Sequence, residues 1–367
     1  MGWIKKAMLG STALRMAEKA TKRAFQYRTG EDEVHYARTK DDWRIGLGRY
    51  RARGDSAKAK SRRQRPILLV PGLSANRYTF DIGEGRSLAR SLSEQGYDVF
   101  VVELRGHGRS QRPQHGTSHS YGWNFDTHLQ QDVSAAIDLV LDVTGAPALH
   151  WVGHSMGGLL LYALLATESS PRICSGTTVG STLEFAGAAS DFHVLKKILP
   201  FTALVDFIPV ERIGTLLSPI AARFDSASDR FNYHLENIDA AVVRKYTANI
   251  HHDVSSAVFS QLSSALEPGG LLSADGKLRY QAKLSSSQVP VLAIAGSKDR
   301  QCAPESVKVT FNALSHADNK MVVFGKEYGH VEDYGHTDLL VGDRVGSEVF
   351  PEIISWLEAR DSSCQEE

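Results

Sequence analysis

The sequence predicts an α/β fold in which a mostly parallel central sheet is flanked by helices and interrupted by a largely helical cap. Short apolar runs that end in turn residues, such as "RPILLVPG" at residues 65–72 and "ALHWVGHS" at residues 148–155, are typical of strands buried on both faces. Segments with helical periodicity lie between such runs, and this alternation favours parallel pairing. It stops after residue 182 and resumes with "VPVLAIAGSKD" at residues 289–299, which indicates an insertion between two core strands.

Each predicted element has its own signal. Residues 33–52 alternate in the manner of a β-hairpin, with Asp41 and Asp42 at the turn. A helix closed by Gly96 precedes a strand that ends in a glycine-rich turn, and a further helix covers about Thr127–Val143. The remaining elements are a strand at 148–155, a helix at 156–169 and a strand at 173–182, then after the insertion a strand at 289–299, a helix at 304–316, a strand at 320–325 and a helix at 345–360.

These signals divide the chain into four parts. Residues 1–30 form a basic amphipathic helix, and residues 31–182 form the first part of the core. Residues 183–287 form the helical cap or lid, in which helical stretches occur without a clear buried strand. Residues 288–367 complete the core.

The overall charge gives no indication of a nucleic-acid partner. The chain has 42 basic and 42 acidic residues, so its formal net charge is zero, and no base-reading motif is present. Basic residues nevertheless concentrate near the start, with the run "KAKSRRQR" from Lys58 to Arg65. A solvated loop and a contact with an anionic surface both remain open for this run.

The first 25 residues favour a location in the cytoplasm with a possible contact to a membrane surface. Apolar positions such as Trp3, Ile4 and Leu14 alternate with lysines and arginines, so the helix either lies on a membrane or packs on the domain. We expect no signal peptide, and no apolar run approaches the roughly 20 residues of a membrane span. The three cysteines lack metal-site spacing and imply no disulfide framework, which favours a reducing compartment.

The stretch "WVGHSMGGLL" at residues 151–160 carries the strongest functional signal. Gly153, Ser155 and Gly157 fit the pattern G-x-S-x-G between a predicted strand and a predicted helix, the context that the motif requires. Glycines are needed there because the serine occupies strained backbone, where neighbouring side chains would clash. The pattern predicts that Ser155 is a nucleophile and that the backbone N–H of Met156 faces a developing oxyanion.

With this turn the chain resembles the α/β-hydrolase superfamily, in which a nucleophile, an acid and a histidine follow one another along the sequence. The resemblance covers about residues 65–182 and 288–360. It implies that Asp299, in the turn after a late strand, is the acid that orients the histidine. Glu184, after an earlier strand, is the alternative acid.

Two further turns carry the resemblance. "LVPGLSANRYTFD" at residues 69–81 matches the turn that supplies a second oxyanion N–H, and Leu73 is the expected donor because Pro71 has no N–H. "ELRGHGRS" at residues 103–110 resembles a structural turn that supports the nucleophile, so we do not expect a catalytic role for His107.

The catalytic histidine is expected between the last strand and the last helix, where both His330 and His336 lie. The segment from His336 to Asp338 resembles the His-x-Asp segment of acid-lipase-like hydrolases, which favours His336. A metal site built from His330, Glu332, Asp333 and His336 is disfavoured because no other residues with ligand spacing converge on it. The sequence His251-His252-Asp253 in the cap is expected at the surface.

These residues predict a serine hydrolase that cleaves carboxylic esters through an acyl-enzyme and needs no cofactor or metal ion. Serine at the nucleophile position argues against superfamily members that use aspartate or cysteine there. The substrate is expected to be a small-molecule ester or lipid, and the apolar cap residues 193–220 either line an acyl tunnel or pack on the core. An acyltransferase with the same triad and a catalytically silent binding protein are the alternatives, and the oligomeric state is not predicted.

Overall fold

A central sheet of eight strands organises the protein. The computed structural model describes residues 2–53, 65–83, 85–167, 172–185, 190–193 and 204–363. The sheet has the order β1-β2-β4-β3-β5-β6-β9-β10. Its strands are β1 (Glu33–Arg38), β2 (Arg44–Tyr50), β3 (Ile67–Val70), β4 (Val99–Glu103), β5 (Leu149–His154), β6 (Ile173–Val179), β9 (Val291–Gly296) and β10 (Lys320–Phe324).

The pairing confirms the predicted mostly parallel sheet. Strands β3, β4, β5, β6, β9 and β10 pair in parallel, whereas the hairpin β1-β2 joins the edge through an antiparallel pairing of β2 with β4. All residues of β3, β5, β6 and β9 are buried, as their continuous apolar runs predict. Since the carboxyl ends of parallel strands meet at one edge, the turns after β3, β5 and β9 lie together there.

Helices cover both faces of the sheet. One apolar core lies between the sheet and the helices α4 and α5, and the other lies between the sheet and the helices α2 and α12. The helices are α1 (Gly2–Ala24), α2 (Leu88–Glu94), α3 (Phe125–Thr127), α4 (Ser134–Thr144), α5 (Met156–Thr167), α6 (Val210–Leu217), α7 (Ala227–Asn232), α8 (Ala240–Ile250), α9 (Ser256–Leu262), α10 (Pro304–Phe311), α11 (Asp338–Val341) and α12 (Val349–Ser363).

Three predicted helices differ from the structure in detail, and the helix expected at residues 304–316 ends at Phe311. The helix expected over Thr127–Val143 begins at Phe125 and contains a wide π-type turn at His128–Val133. In this turn the buried Asp132 accepts hydrogen bonds from Arg105 and His128. The apolar pattern does not show these bonds, because all three side chains are polar. The final helix begins at Val349 rather than at residue 345.

The insertion between β6 and β9 contains short helices and a small sheet. Helices α6 to α9 lie in it, together with the antiparallel pair β7 (Phe207–Ile208) and β8 (Val254–Ser255). Helix α8 packs against the core on one side of the sheet through Val243 and Tyr246. Residues 186–189 and 194–203 of the predicted cap lie outside the described residues.

The predicted N-terminal helix is present as α1 and contacts the cap. Lys22 near its end forms an ion pair with Glu211 of α6, with a distance of 2.5 Å between Nζ and Oε1. Leu14 and Met16 are exposed on α1. No helix in the described part of the chain combines the length and the apolar character needed to cross a membrane. The basic run from Lys58 lies outside the described residues up to residue 64.

The cysteines differ from the expectation. Cys302 is a free, buried thiol, but Cys174 is disulfide-bonded. Disulfides persist mainly in oxidising compartments, so the cysteines do not support the expected reducing compartment.

Candidate active site

Ser155 occupies a strained turn between β5 and α5. Its φ of 52° is in the left-handed region, which costs a non-glycine residue free energy. A Cβ on Gly153 would lie 2.3 Å from the carbonyl oxygen of Gly157, and a Cβ on Gly157 would lie 2.0 Å from the carbonyl oxygen of Val70. The two glycines therefore let the strand and the helix approach closely enough to present Ser155 at the edge of the sheet.

Asp299 and His336 form a buried pair at the same edge. Asp299 lies in the turn after β9 and His336 lies before α11, and their Oδ2 and Nδ1 atoms are 2.8 Å apart. Asp299 also accepts hydrogen bonds from the backbone N–H groups of Gln301 and Cys302. Burial opposes ionisation of Asp299, but His336 and these two donors hold the pKa of the carboxyl below its usual value. The carboxylate thus holds the proton of His336 on Nδ1 and leaves Nε2 as the free base.

His154, which precedes Ser155, connects the nucleophile turn to His336. The two imidazole centroids are 4.7 Å apart, and Nε2 of His154 lies 3.1 Å from the carbonyl oxygen of His336. Burial and the neighbouring His336 lower the pKa of His154 to about 3, so His154 is neutral and donates this hydrogen bond. The sequence predicts no role for His154, because the residue between glycine and serine in the motif carries no signal of its own.

The alternative histidine, His330, and the alternative acid, Glu184, contact other residues. The ring of His330 packs on Phe324 with centroids 4.5 Å apart, and its Nδ1 lies 3.3 Å from the carbonyl oxygen of Gly325. Glu184 accepts hydrogen bonds from the N–H of Gly269 and from Gln281. The structure therefore brings Asp299 to His336 and brings neither alternative into that pair.

The acid in the His-x-Asp segment anchors the histidine loop to the cap. Asp338 accepts hydrogen bonds from the backbone N–H of Gly335, the backbone N–H of His234 and the side chain of Asn237. Burial raises the pKa of Asp338 to about 7. This contact joins the loop that carries His336 to a cap segment about 100 residues earlier in the chain.

The expected oxyanion donors lie beside Ser155. Leu73, Ser155 and Met156 line one pocket. Among the described residues, the N–H groups of Leu73 and Met156 donate to no backbone acceptor, although Met156 starts a helix and Leu73 lies in a turn. Two unpaired N–H groups next to a serine are the arrangement that an oxyanion hole needs.

The pocket that opens at Ser155 is apolar. Its walls come from the core helix α5, from the segments around Phe185 and Phe192, and from α9 and the turn that follows it. They include Leu159, Phe185, Phe192, Phe259, Leu262 and Leu266. The described part of the apolar cap stretch, residues 204–220, does not line this pocket, and its Ile213, Leu217 and Ile220 are exposed. No group of three or more histidine, cysteine or acidic residues suited to a metal ion occurs in the described parts of the chain.

Comparison with known proteins shows the family of this chain. Residues 65–343 match the family described as the α/β hydrolase fold. The chain belongs to this family. Solved α/β-hydrolase structures include a membrane phospholipase A from a bacterium, with a TM-score of 0.58 and 16% identity over 98% of this chain and 97% of that chain. They also include the monoacylglycerol lipase of Paleococcus ferrophilus, with a TM-score of 0.57 and 16% identity over 89% and 99%.

Curated relatives include lipases and a polymerase. The chain is 26% identical to Lipase 1 of Drosophila melanogaster over 82% of this chain and 72% of that protein. It is 24% identical to the gastric triacylglycerol lipase of Bos taurus over 88% of this chain and 87% of that protein. A poly(3-hydroxyalkanoate) polymerase subunit of Haloarcula marismortui is 24% identical over 82% of this chain and 62% of the subunit.

Proposed function

We propose that this α/β-hydrolase is a serine hydrolase that cleaves carboxylic esters with an apolar acyl group. The observation that carries the proposal is the buried Asp299–His336 pair, whose imidazole packs on His154 next to the strained Ser155, together with the apolar pocket that Ser155 lines. The similarity to lipases from an insect and a mammal supports it.

In this reaction His336 takes the proton of the Ser155 hydroxyl while the oxygen attacks the ester carbonyl carbon. The N–H groups of Leu73 and Met156 stabilise the negative oxygen of the tetrahedral intermediate, and each contributes about 3 kcal/mol. When the C–O bond breaks, the protonated His336 donates its proton to the leaving alcohol. Water then attacks the acyl-enzyme with the same histidine as base, and the acid and free Ser155 are released.

The pocket indicates the acyl side of the substrate. Its aromatic and aliphatic walls offer dispersion contacts and exclude water, so an apolar chain gains free energy on entering. A triacylglycerol, a monoacylglycerol and a phospholipid, the substrate classes named for the relatives and structural neighbours, all present such a chain.

The test is hydrolysis of p-nitrophenyl esters with acyl chains of about two to sixteen carbons. We expect wild-type activity that is abolished in Ser155→Ala and in His336→Ala. The matched control is His330→Ala, which removes the other histidine of the same loop and should retain activity. If the wild type is inactive on every ester while a fluorophosphonate still labels Ser155, the ester class is wrong. If neither the esters nor the probe react, the chain is a binding protein.

Acyl transfer is the second candidate, and the similarity to an archaeal polymerase subunit favours keeping it. It uses the same acyl-enzyme and differs only in the acceptor, since an alcohol rather than water attacks the acyl carbon. Adding glycerol or a primary alcohol to the ester assay separates the two candidates. Hydrolysis predicts free acid as the main product, and transfer predicts that the new ester exceeds the acid.

We also propose that α1 contacts a membrane surface. Its exposed Leu14 and Met16 lie among basic residues such as Arg15 and Lys19. Sedimentation with vesicles that contain anionic lipid tests it, and Met16→Glu should reduce the bound fraction if the face of α1 that carries Met16 inserts. Unchanged binding would contradict the proposal.

A further inference from the structure

The loop that carries Leu73 is held by the cap. Ser74, the next residue, has a φ of 63°, in the left-handed region that a serine does not favour. The backbone N–H of His252 donates to the carbonyl oxygen of Ser74 at 2.8 Å, and the Ser74 hydroxyl donates to the carbonyl oxygen of His252 at 2.7 Å. This reciprocal pair balances the unfavourable conformation directly beside the expected oxyanion donor.

A second set of bonds fixes the protonation of His252. The Asn76 side chain accepts from the N–H of Tyr78 and donates to the carbonyl oxygen of Asn249, which sets its orientation. Its amide nitrogen therefore donates to Nε2 of His252 at 2.9 Å, and the N–H of Gly108 donates to the same atom at 3.0 Å. Because two donors point at Nε2, this nitrogen is an acceptor and the imidazole proton lies on Nδ1.

The Nδ1 side of His252 faces a carboxylate. Oε2 of Glu211, in the first turn of α6, lies 3.5 Å from this nitrogen. Burial opposes ionisation of Glu211, but His252, Arg112 and Lys22 together hold its pKa well below the usual value. An ionised Glu211 attracts the Nδ1–H dipole and so favours the tautomer that Asn76 and Gly108 require.

His107 packs against His252 next to the loop that carries Leu73. Its ring stacks on that of His252 with centroids 5.3 Å apart and an angle of 19° between the planes. Burial and the neighbouring His252 hold the pKa of His107 well below its usual value, so two neutral imidazoles pack together without repulsion. Both rings are buried, with 2% and 5% exposure for His107 and His252.

We propose that His252 is a positioning residue that directs the N–H of Leu73 into the oxyanion site, and that Glu211 holds it in the required tautomer. The inference rests on the proposed function, in which Leu73 stabilises the oxyanion. His252 touches no reacting atom. Its backbone bonds to Ser74, and its ring accepts from Asn76 and Gly108, so His252→Ala removes only the ring bonds. Loss of one oxyanion donor typically lowers kcat by about 100-fold to 1000-fold, so a partly misdirected Leu73 should give a smaller loss.

The test compares His252→Ala, His252→Gln and the control His251→Gln. His251 is the adjacent histidine of the cap, and it packs on Gly214 of α6 rather than on the loop. We expect His252→Ala to lower kcat by roughly 10-fold to 100-fold with little change in KM, because the donor acts on the transition state. A boronic acid that forms a tetrahedral adduct with Ser155 should bind more weakly by a similar factor. His252→Gln should restore most of both, since its amide oxygen accepts from Gly108 and Asn76.

Ser74→Ala provides a variant that keeps the buried imidazole. It removes the hydroxyl bond to His252 and retains a β-carbon at the same φ, so we expect a loss in kcat of about 3-fold to 10-fold. The proposal is overturned if kcat and the boronic acid affinity stay at wild-type values in His252→Ala. It is also overturned if kcat and the boronic acid affinity change independently of each other, or if His251→Gln has the same effect as His252→Ala.

Failure of the proposed function would give different results from failure of the positioning role. If the wild type hydrolyses no ester, the rate of Ser155 labelling by a fluorophosphonate still reports on the donor, because the phosphoryl oxygen occupies the oxyanion site. A slower rate in His252→Ala, rescued in His252→Gln, then supports the positioning role. Equal labelling rates overturn it, and complete absence of labelling in the wild type overturns both proposals.

Discussion

Ser155 is held within the core, whereas the Leu73 loop is held by hydrogen bonds to the cap. At the serine, Gly153 and Gly157 bring a strand and a helix into contact, and the Ser181 hydroxyl donates to the carbonyl oxygen of Ser155. At the loop, Ser74 bonds to the backbone of His252 in the cap, and the Asn76 amide donates to the ring of His252. From this difference we expect that substitutions in the core abolish activity or prevent folding. Substitutions in the cap should lower the catalytic rate only in part.

Asp299→Asn should have the largest effect among the changes to the core half. The asparagine no longer favours a proton on Nδ1 of His336, so the histidine presents the wrong tautomer to Ser155, and kcat should fall about 10000-fold. Steady-state kinetics on a p-nitrophenyl ester measures the loss. The matched control is Glu184→Gln, which neutralises the alternative acid and should keep wild-type kcat. Comparable losses in both variants would contradict the assignment of Asp299.

His154→Gln should change how stability depends on pH. The pKa of His154 is about 3 in the folded protein, against about 6.5 in an unfolded chain. Below pH about 6.5 the unfolded state binds a proton that the folded state does not, so the free energy of unfolding decreases as pH falls towards 3. Glutamine removes this contribution, which is roughly 3–5 kcal/mol over the whole window.

Urea unfolding from pH 8 down to pH 4 measures this effect. We expect the wild type to lose stability more steeply than His154→Gln below pH 6.5, and the two curves to run parallel above it. Parallel curves over the whole range would show that His154 takes up its proton at the same pH in the folded and unfolded states.

Gly157→Ala tests the backbone contact of the core half. Its Cβ would lie 2.0 Å from the carbonyl oxygen of Val70, so α5 and β3 must move apart, and we expect a loss of about 3 kcal/mol or more in the free energy of unfolding. Gly145→Ala is the control: unlike Gly157, Gly145 has a positive φ of 68°, and a Cβ there would meet no atom within 4 Å. It should cost about 1 kcal/mol. Equal losses in the two variants would contradict the expected cost of the close approach at Gly157.

Phe259→Ala should have the smallest effect and should act on specificity. Its side chain lines the apolar pocket from the cap, so its removal should shift the acyl-chain optimum to longer chains and change kcat/KM for short esters by about 10-fold. Phe224→Ala is the matched control, because Phe224 is 75% exposed and does not line the pocket. An unchanged chain-length profile in Phe259→Ala would mean that the acyl group does not bind there.

Much of the core was predictable because its signals are local. The runs "RPILLVPG" and "ALHWVGHS" predict buried strands, and the glycines around Ser155 predict a strained turn; the structure contains both. The choice of His336 over His330 came from resemblance, since both follow Tyr-Gly in the same loop. The hydrogen bond to Asp299 separates them in the structure. The catalytic roles and the division into four parts stay predictions.

The cap was less predictable, since its important contacts join residues far apart in sequence. The expectation that His251-His252-Asp253 lies at the surface is wrong for His252, which is buried against a loop about 180 residues earlier. Strands β7 and β8 have two residues each, too few for a periodic signal. The "ELRGHGRS" turn, for which a supporting role is expected, contacts the cap residue next to the Leu73 loop, because His107 stacks on His252 and the N–H of Gly108 donates to its ring.

The sequence by itself determined the α/β class, the strained turn at Ser155 and the order of the three expected catalytic residues. These features depend on apolar periodicity, on the space that glycine leaves and on short motifs, which are all properties of neighbouring residues. The tertiary structure alone decided that His336 pairs with Asp299, that His154 bonds to His336 and His252 to the Leu73 loop, and which residues line the pocket. Those outcomes depend on hydrogen bonds and burial between distant segments, and these form only when the sheet and the cap are assembled.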